Sequence, residues 1–183
     1  MDRRVFLSLA TMLSAVAAGV TTRRAEAGPA PSFTFPSIDG GMMDSADWRG
    51  RPVLVVNTAS LCGFSGQLRD MQALHERHGP RGLVVLAVPS DDFNQELASG
   101  KEVSEYCQME YGITLPMTDI LHVAKGEVHP FYGWVRQQTG FVPKWNFGKV
   151  LLGPDGQILG SWGSFTKPGS RQIEAAFAPY LAA

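Results

Sequence analysis

Pro52-Val53-Leu54-Val55-Val56-Asn57-Thr58-Ala59-Ser60-Leu61-Cys62-Gly63-Phe64-Ser65-Gly66 is the stretch on which the fold turns. Val53 to Val56 is an unbroken apolar run, the pattern of a central strand covered on both faces. Gly63 to Gly66 is a small-residue turn, and the helical pattern after it repeats Leu68, Met71, Leu74 and His75 on one side. Strand, turn and helix in that order put Cys62 at the mouth of a helix. Unpaired N–H groups and the positive dipole end favour a thiolate there and lower its pKa. A thiolate so placed attacks an electrophilic oxygen or sulfur. The competing reading is a buried structural thiol that packs as a small apolar side chain.

Working outward, the helix ends near Gly79-Pro80, and Leu83 to Val88 repeats the buried-strand pattern. Strand, helix and strand over that length form a right-handed parallel crossover. Upstream, Phe33, Phe35 and Ile38 punctuate Ser32 to Ile38 before Asp39-Gly40-Gly41, an N-terminal hairpin. Downstream, Ser99 and Glu102 are spaced as a capping box for a helix through Tyr111 that Gly112 stops. A third helix runs from His129-Pro130 to Gln138. Phe147 to Leu152 and Gln157 to Gly160 flank Gly153-Pro154-Asp155-Gly156 as a hairpin, and Gln172 to Leu181 closes the chain as an amphipathic helix. This order predicts an α/β, thioredoxin-like fold: a central mixed sheet flanked by helices, with an N-terminal β-hairpin.

The first residues read as an address. Arg3-Arg4 precede an apolar run from Leu7 to Val20, then Arg23-Arg24 and an Ala25-Glu26-Ala27 cleavage pattern. Residues 1–27 therefore read as an export signal that resembles the twin-arginine type; Asp2, where that pattern usually has Ser or Thr, keeps general secretion as an alternative. The run is too short for a comfortable membrane span, which leaves an uncleaved anchor as the lesser reading. Cleavage leaves one domain, 28–183, with no membrane span and a periplasmic destination. Arg3, Arg4, Arg23, Arg24, Asp2 and Glu26 leave with the signal. The chain's 16 basic and 17 acidic residues thus fall to 12 and 15, a net charge of −3. No basic stripe remains for nucleic acid. Export to an oxidising compartment allows a disulfide, and two cysteines permit a single intramolecular pairing.

The chemistry narrows by elimination. A dithiol motif of the thioredoxin kind needs a second cysteine at position 65, and Ser65 occupies it; a copper-carrier variant needs one at Gly66. One-thiol chemistry at Cys62 is left. Cys107 shares a helical face with Val103, Tyr106 and Tyr111, the pattern of a core thiol. His75 and His78 lie three apart on the first helix with no third ligand, so they read as helical surface residues and no metal site is indicated.

Asn57 to Gln67 resembles the segment around the catalytic cysteine or selenocysteine of glutathione peroxidases. Val88-Pro89-Ser90-Asp91-Asp92-Phe93-Asn94-Gln95-Glu96 is similar to a second block of that family, and Trp145-Asn146-Phe147-Gly148-Lys149 to a third. Tyr106 to Pro116 resembles its cysteine-dependent branch, and the likeness spans most of residues 32–165. The resemblance implies a thiol peroxidase that reduces hydrogen peroxide and organic or lipid hydroperoxides without a cofactor. In it Cys62 is the peroxidatic thiolate, and Gln95, Trp145 and Asn146 surround its sulfur with N–H donors. Cys107 is then the resolving thiol, which condenses with the Cys62 sulfenic acid to a disulfide after local opening of residues 99–112. A thioredoxin-like protein, or glutathione, restores the thiols. A short segment between the third helix and Trp145 is similar to the monomeric branch, whose open site admits bulky lipid hydroperoxides.

Without the resemblance, Trp145 reads as core filling and Asn146 as a turn residue. The chain also departs from the family's pattern. Only Asn94 separates Phe93 from Gln95 where two residues are common, and Leu97 stands where proline is usual. A deletion of one residue moves a loop side chain by about 3.3 Å or more, which leaves Asn94 or a backbone N–H as substitutes for Gln95. Ser65 stands where threonine is frequent and keeps a helix-capping hydroxyl. Two rival functions remain at this level: a non-catalytic exported domain with a structural disulfide, and a peroxide sensor.

Overall fold

A computed structural model describes residues 30–182; the export signal read over 1–27 lies outside them. Thr34–Pro36 (β1) and Met42–Asp44 (β2) pair antiparallel, with Phe35 buried between them and the core. Gly40 and Gly41 supply the turn at φ +91° and +78°, a left-handed backbone that side chains resist. Val53–Thr58 (β3) is buried along its whole length, as expected of the decisive strand. Gln67–His78 (α1) returns the chain to Val84–Pro89 (β4), which pairs with β3 in parallel.

Gly100–Tyr111 (α2) starts at Ser99, whose side chain accepts the Glu102 N–H at 3.3 Å, and stops at Gly112 at φ +63°. Pro130–Thr139 (α3) leads to Lys149–Leu152 (β5) and Ile158–Trp162 (β6), and the sheet runs β4-β3-β5-β6 with β5 antiparallel to both neighbours. Arg171–Phe177 (α4) is shorter than the helix predicted over Gln172 to Leu181. The chain tightens into a 3-10 turn at Ala178–Tyr180, where Pro179 has no N–H to continue the helix.

Strand alternation decides which helix covers which face. Leu54 and Val56 point to α1, α2 and α4, meeting Leu68, Met71, Val103, Ile173 and Phe177. Val53 and Val55 point the other way, to Phe35 and to Phe131, Tyr132 and Val135 of α3. Each such side chain contributes about 1.5–3 kcal/mol by leaving water. His78 is not a free surface residue: it is half-buried with its ring edge-on to Phe177 at 5.3 Å, and burial lowers its pKa.

The loop after β4 is held by Asp92. Its Oδ2 accepts the N–H groups of Val123, Ala124 and Lys125 at 2.8, 2.7 and 3.1 Å, and its Oδ1 meets His122 Nδ1 at 2.6 Å. Burial alone would raise this carboxyl. The His122 and backbone hydrogen bonds outweigh it and hold the group below the usual range. The 91–97 loop, which carries Gln95 and Glu96, is therefore anchored at its start.

Candidate active site

Cys62 sits in the turn between β3 and α1, and α1 itself begins only at Gln67. The thiol therefore meets no N–H of the helix's first turn; its donor is the Phe64 N–H, 3.5 Å from Sγ. It is also nearly buried, at 3% exposure, beside an exposed Leu61 and a half-buried Phe64. That is less open than a thiol at a helix mouth. The Ser65 hydroxyl does not cap α1 either, since the cap is Gly66; it accepts the Tyr111 O–H at 3.0 Å, tying the thiol's turn to the end of α2.

Three segments converge next to this turn. The Leu61 N–H donates to the Gln95 carbonyl at 2.9 Å, and Asn146 Nδ2 donates to Gln95 Oε1 at 3.0 Å. Trp145 lies across Phe93 at 5.4 Å, stays 41% exposed and so is not core filling. The shortened 93–95 loop reaches this arrangement with Asn94 at φ +54°, a left-handed turn that asparagine tolerates better than most residues. Gln95 thus meets Asn146 despite the missing residue, and Asn94 does not take its place in that bond.

Asn57, at the end of β3, fixes the third segment. Its Oδ1 accepts the Gly148 N–H at 2.9 Å, its Nδ2 donates to the Trp145 carbonyl at 3.2 Å, and its own carbonyl accepts the Phe147 N–H at 2.6 Å. A Cβ at position 148 would lie 2.8 Å from Asn57 Oδ1, so only glycine allows this approach. Lys149 lies behind the same segment, fully buried. Its Nζ donates to Gln67 Oε1 at 2.5 Å and the Phe147 carbonyl at 2.6 Å, with the Ser164 carbonyl at 3.4 Å. Ser164 Oγ in turn donates to the Asn146 carbonyl at 2.6 Å. One cation thereby joins the start of α1 to the backbone that carries Trp145 and Asn146.

Burial pushes the Lys149 amine down to about 7, with the Asp70 carboxylate partly holding it up. Between that value and the ordinary lysine value the unfolded chain binds a proton that the folded chain does not. Stability then rises with pH across the window, by up to about 1.4 kcal/mol per pH unit. Lys149→Met removes this rise, and it leaves the Phe147 carbonyl and Gln67 Oε1 without their donor. Urea unfolding of both proteins at pH 6.5 and 9.5 is expected to show the wild type gaining on the variant at the higher pH. Peroxidase activity should fall by roughly tenfold as the Trp145-Asn146 segment loosens.

Cys107 is buried on α2 and free, as is Cys62. Burial, with the Glu96 carboxylate nearby, pushes its thiol up to about 11, and the facing Ser60 hydroxyl offsets part of that. On the Trp145 side, Phe141, Val142, Pro143 and Phe165 line an apolar groove of about 450 Å3. Among the described residues no cluster of three or more His, Cys, Asp or Glu could hold a metal ion, and no helix is long and apolar enough to cross a membrane.

Sequence reading missed Asn57, Lys149 and Glu96. The signal for the first two was there: a polar residue at an inward position of an otherwise apolar strand is paired or functional. Glu96 carried none, because a glutamate in a loop reads as solvated.

The sequence profile of the glutathione peroxidase family matches residues 32–136. A glutathione peroxidase of Lactococcus lactis is 34% identical over 148 residues, covering 78% of this chain and 94% of the relative. A glutathione peroxidase-like peroxiredoxin of Schizosaccharomyces pombe is 36% identical over 71% of this chain and 85% of its own. A hydroperoxy fatty acid reductase of Synechocystis is 33% identical over 74% and 87%. Among solved structures, Trgpx in apo form superposes with a TM-score of 0.62 at 31% identity, covering 84% of this chain and all of its own. A thioredoxin-family thiol:disulfide interchange protein from Chlorobium tepidum, 21% identical with a TM-score of 0.60 over 81% and 95%, shares the fold.

Proposed function

Since the chain belongs to the glutathione peroxidase family and is a peroxidase, we propose that Cys62 is its peroxidatic thiolate and Cys107 its resolving thiol. The thiolate attacks one oxygen of ROOH. The O–O bond breaks, the leaving alkoxide takes a proton to become alcohol or water, and Cys62 is left as sulfenic acid. Gln95, Trp145 and Asn146 supply the N–H donors that hold the peroxide and its developing charge. Cys107 then forms the disulfide with loss of water, and a thioredoxin-like protein or glutathione returns both thiols.

What carries this reading is the chain of contacts that starts at the thiol's turn: the Leu61 N–H on the Gln95 carbonyl, the Asn146 amide on the Gln95 side chain, and Trp145 next to Asn146. The apolar groove next to Trp145 favours organic and lipid hydroperoxides as substrates beside hydrogen peroxide. The protein acts as a monomer in the periplasm after removal of residues 1–27.

Counting thiols before and after one equivalent of hydrogen peroxide tests the scheme. Two thiols are expected to disappear, with a Cys62–Cys107 disulfide in the peptide map, at a rate far above that of free cysteine. Loss no faster than free cysteine would leave the family fold without the activity. A disulfide too stable for a thioredoxin-like protein to reduce, below roughly −300 mV, would mark a structural staple.

A further inference from the structure

We propose that Glu96, acting through the Ser60 hydroxyl, is the proton acceptor for Cys107 when the disulfide forms. The inference rests on the reading of Cys107 as the resolving thiol. Ser60, Glu96 and Cys107 are all buried, at 3%, 9% and 3% exposure, directly behind the turn that carries Cys62. Glu96 Oε1 is fully engaged, accepting the N–H groups of Ser60 and Leu97, both at 2.9 Å. Glu96 Oε2 and Ser60 Oγ are buried without any partner. Unpartnered polar atoms of this kind are rare in a packed interior and call for a reason.

The cluster supplies one. Ser60 holds the Glu96 carboxyl through its backbone N–H at 2.9 Å, and its hydroxyl, which makes no hydrogen bond, is near enough to the Glu96 carboxyl and the Cys107 thiol to lower the pKa of each. Its hydroxyl is a rotor with one proton to give and two lone pairs, so it can accept from the thiol while donating to Oε2. Burial raises the Glu96 pKa, with Asp91 nearby adding to it, and this suits a group that must take a proton and release it. Asp91 meets Glu96 from the same loop, its Oδ1 accepting the Glu96 N–H at 3.1 Å; from α2, Cys107 faces Glu96 and Tyr106 lies next to Cys107.

A thiol raised to about 11 attacks poorly unless a base takes its proton. In the balanced reaction the Cys107 proton passes by way of Ser60 to Glu96 while α2 is still packed, and the thiolate so formed reaches Cys62 as α2 opens. The Cys107 sulfur then forms the S–S bond as the S–O bond of the Cys62 sulfenic acid breaks. The leaving hydroxide takes the proton and departs as water. The sulfenic sulfur is reduced, the thiol sulfur is oxidised, and Glu96 ends as it began.

Glu96→Gln and Ser60→Ala, mixed rapidly with one equivalent of hydrogen peroxide, test this. Loss of the Cys62 thiol and appearance of the disulfide are followed separately, the first with a sulfenic-acid probe and the second by mass after acid quench. Both variants are expected to slow the disulfide step by roughly ten- to a hundredfold relative to the peroxide step. The wild-type disulfide rate should rise with pH as Glu96 ionises. In Glu96→Gln that limb is lost, and the rate climbs only as Cys107 itself loses its proton. Wild-type disulfide rates in both variants would overturn the proposal. So would a parallel slowing of both steps, which marks a structural role. Should Glu96→Gln fail to fold, Ser60→Ala decides, since it removes a single unpartnered oxygen. A wild type that consumes peroxide without forming the Cys62–Cys107 bond would instead overturn the resolving role of Cys107, and this proposal with it.

Discussion

Cys62→Ser is expected to lower hydroperoxide reduction to the uncatalysed background while leaving the fold intact. The swap exchanges sulfur for oxygen at a position with 3% exposure, and a serine oxygen can still accept the Phe64 N–H. The change in stability should stay within about 1–2 kcal/mol, visible as a melting temperature shifted by a few degrees. The loss of chemistry is far larger, because an alcohol has no ionised form near neutral pH and, among the described residues, no histidine hydrogen-bonds position 62 to activate it. Cys107 cannot substitute. With its thiol pushed up to about 11, roughly one molecule in ten thousand carries the thiolate at pH 7. A coupled assay with hydrogen peroxide and a reductant reads the rate, and a melt on the same sample reads the fold. Activity retained in this variant would remove Cys62 from the mechanism altogether.

The fold was legible because its decisive signals are local. The apolar run Val53 to Val56, the Ser99 cap and the Gly112 stop each act within a few residues, and each appears where the pattern puts it. The end of α4 was not, since a proline two residues beyond the last helical position converts the final turn to 3-10 geometry without altering its apolar spacing. For the site, motif order brought Gln95, Trp145 and Asn146 into one neighbourhood, which periodicity alone would have called core and turn. Cys62 does not sit at the helix mouth, for a definite reason. The distance from a strand end to the first helical residue depends on turn geometry, and Gly63 to Gly66 places a full turn between the thiol and α1. In the sequence Lys149 stands only as the last residue of the Trp145-Asn146-Phe147-Gly148-Lys149 block. Its three acceptors come from Gln67, Phe147 and Ser164, and that convergence exists only once the chain is folded.

Cys107→Ser should separate the two halves of the cycle. With one equivalent of hydrogen peroxide the variant is expected to consume it, lose its single thiol and stall as a sulfenic acid that a dimedone-type probe captures. Turnover with a thioredoxin-like donor should then fall to near zero, because such a donor attacks a disulfide and none can form. The stalled sulfenic acid should advance to sulfinic acid under excess peroxide, an irreversible loss that a disulfide with Cys107 would prevent. For the wild type to close it, Cys107 must leave the core it shares with Val103 and Ile113, so α2 has to open. What holds α2 beyond that core is modest. Tyr111 bonds Ser65, and the exposed Arg69–Glu110 pair at 3.6 Å is worth about 0–1 kcal/mol. Hydrogen exchange should therefore find the α2 amides less protected than those of β3 and β4. The same variant identifies the reductant, since glutathione can attack a sulfenic acid directly and needs no resolving thiol. Turnover that survives Cys107→Ser with glutathione would assign glutathione as a donor in its own right, whereas turnover that survives with a thioredoxin-like protein would strip Cys107 of its role.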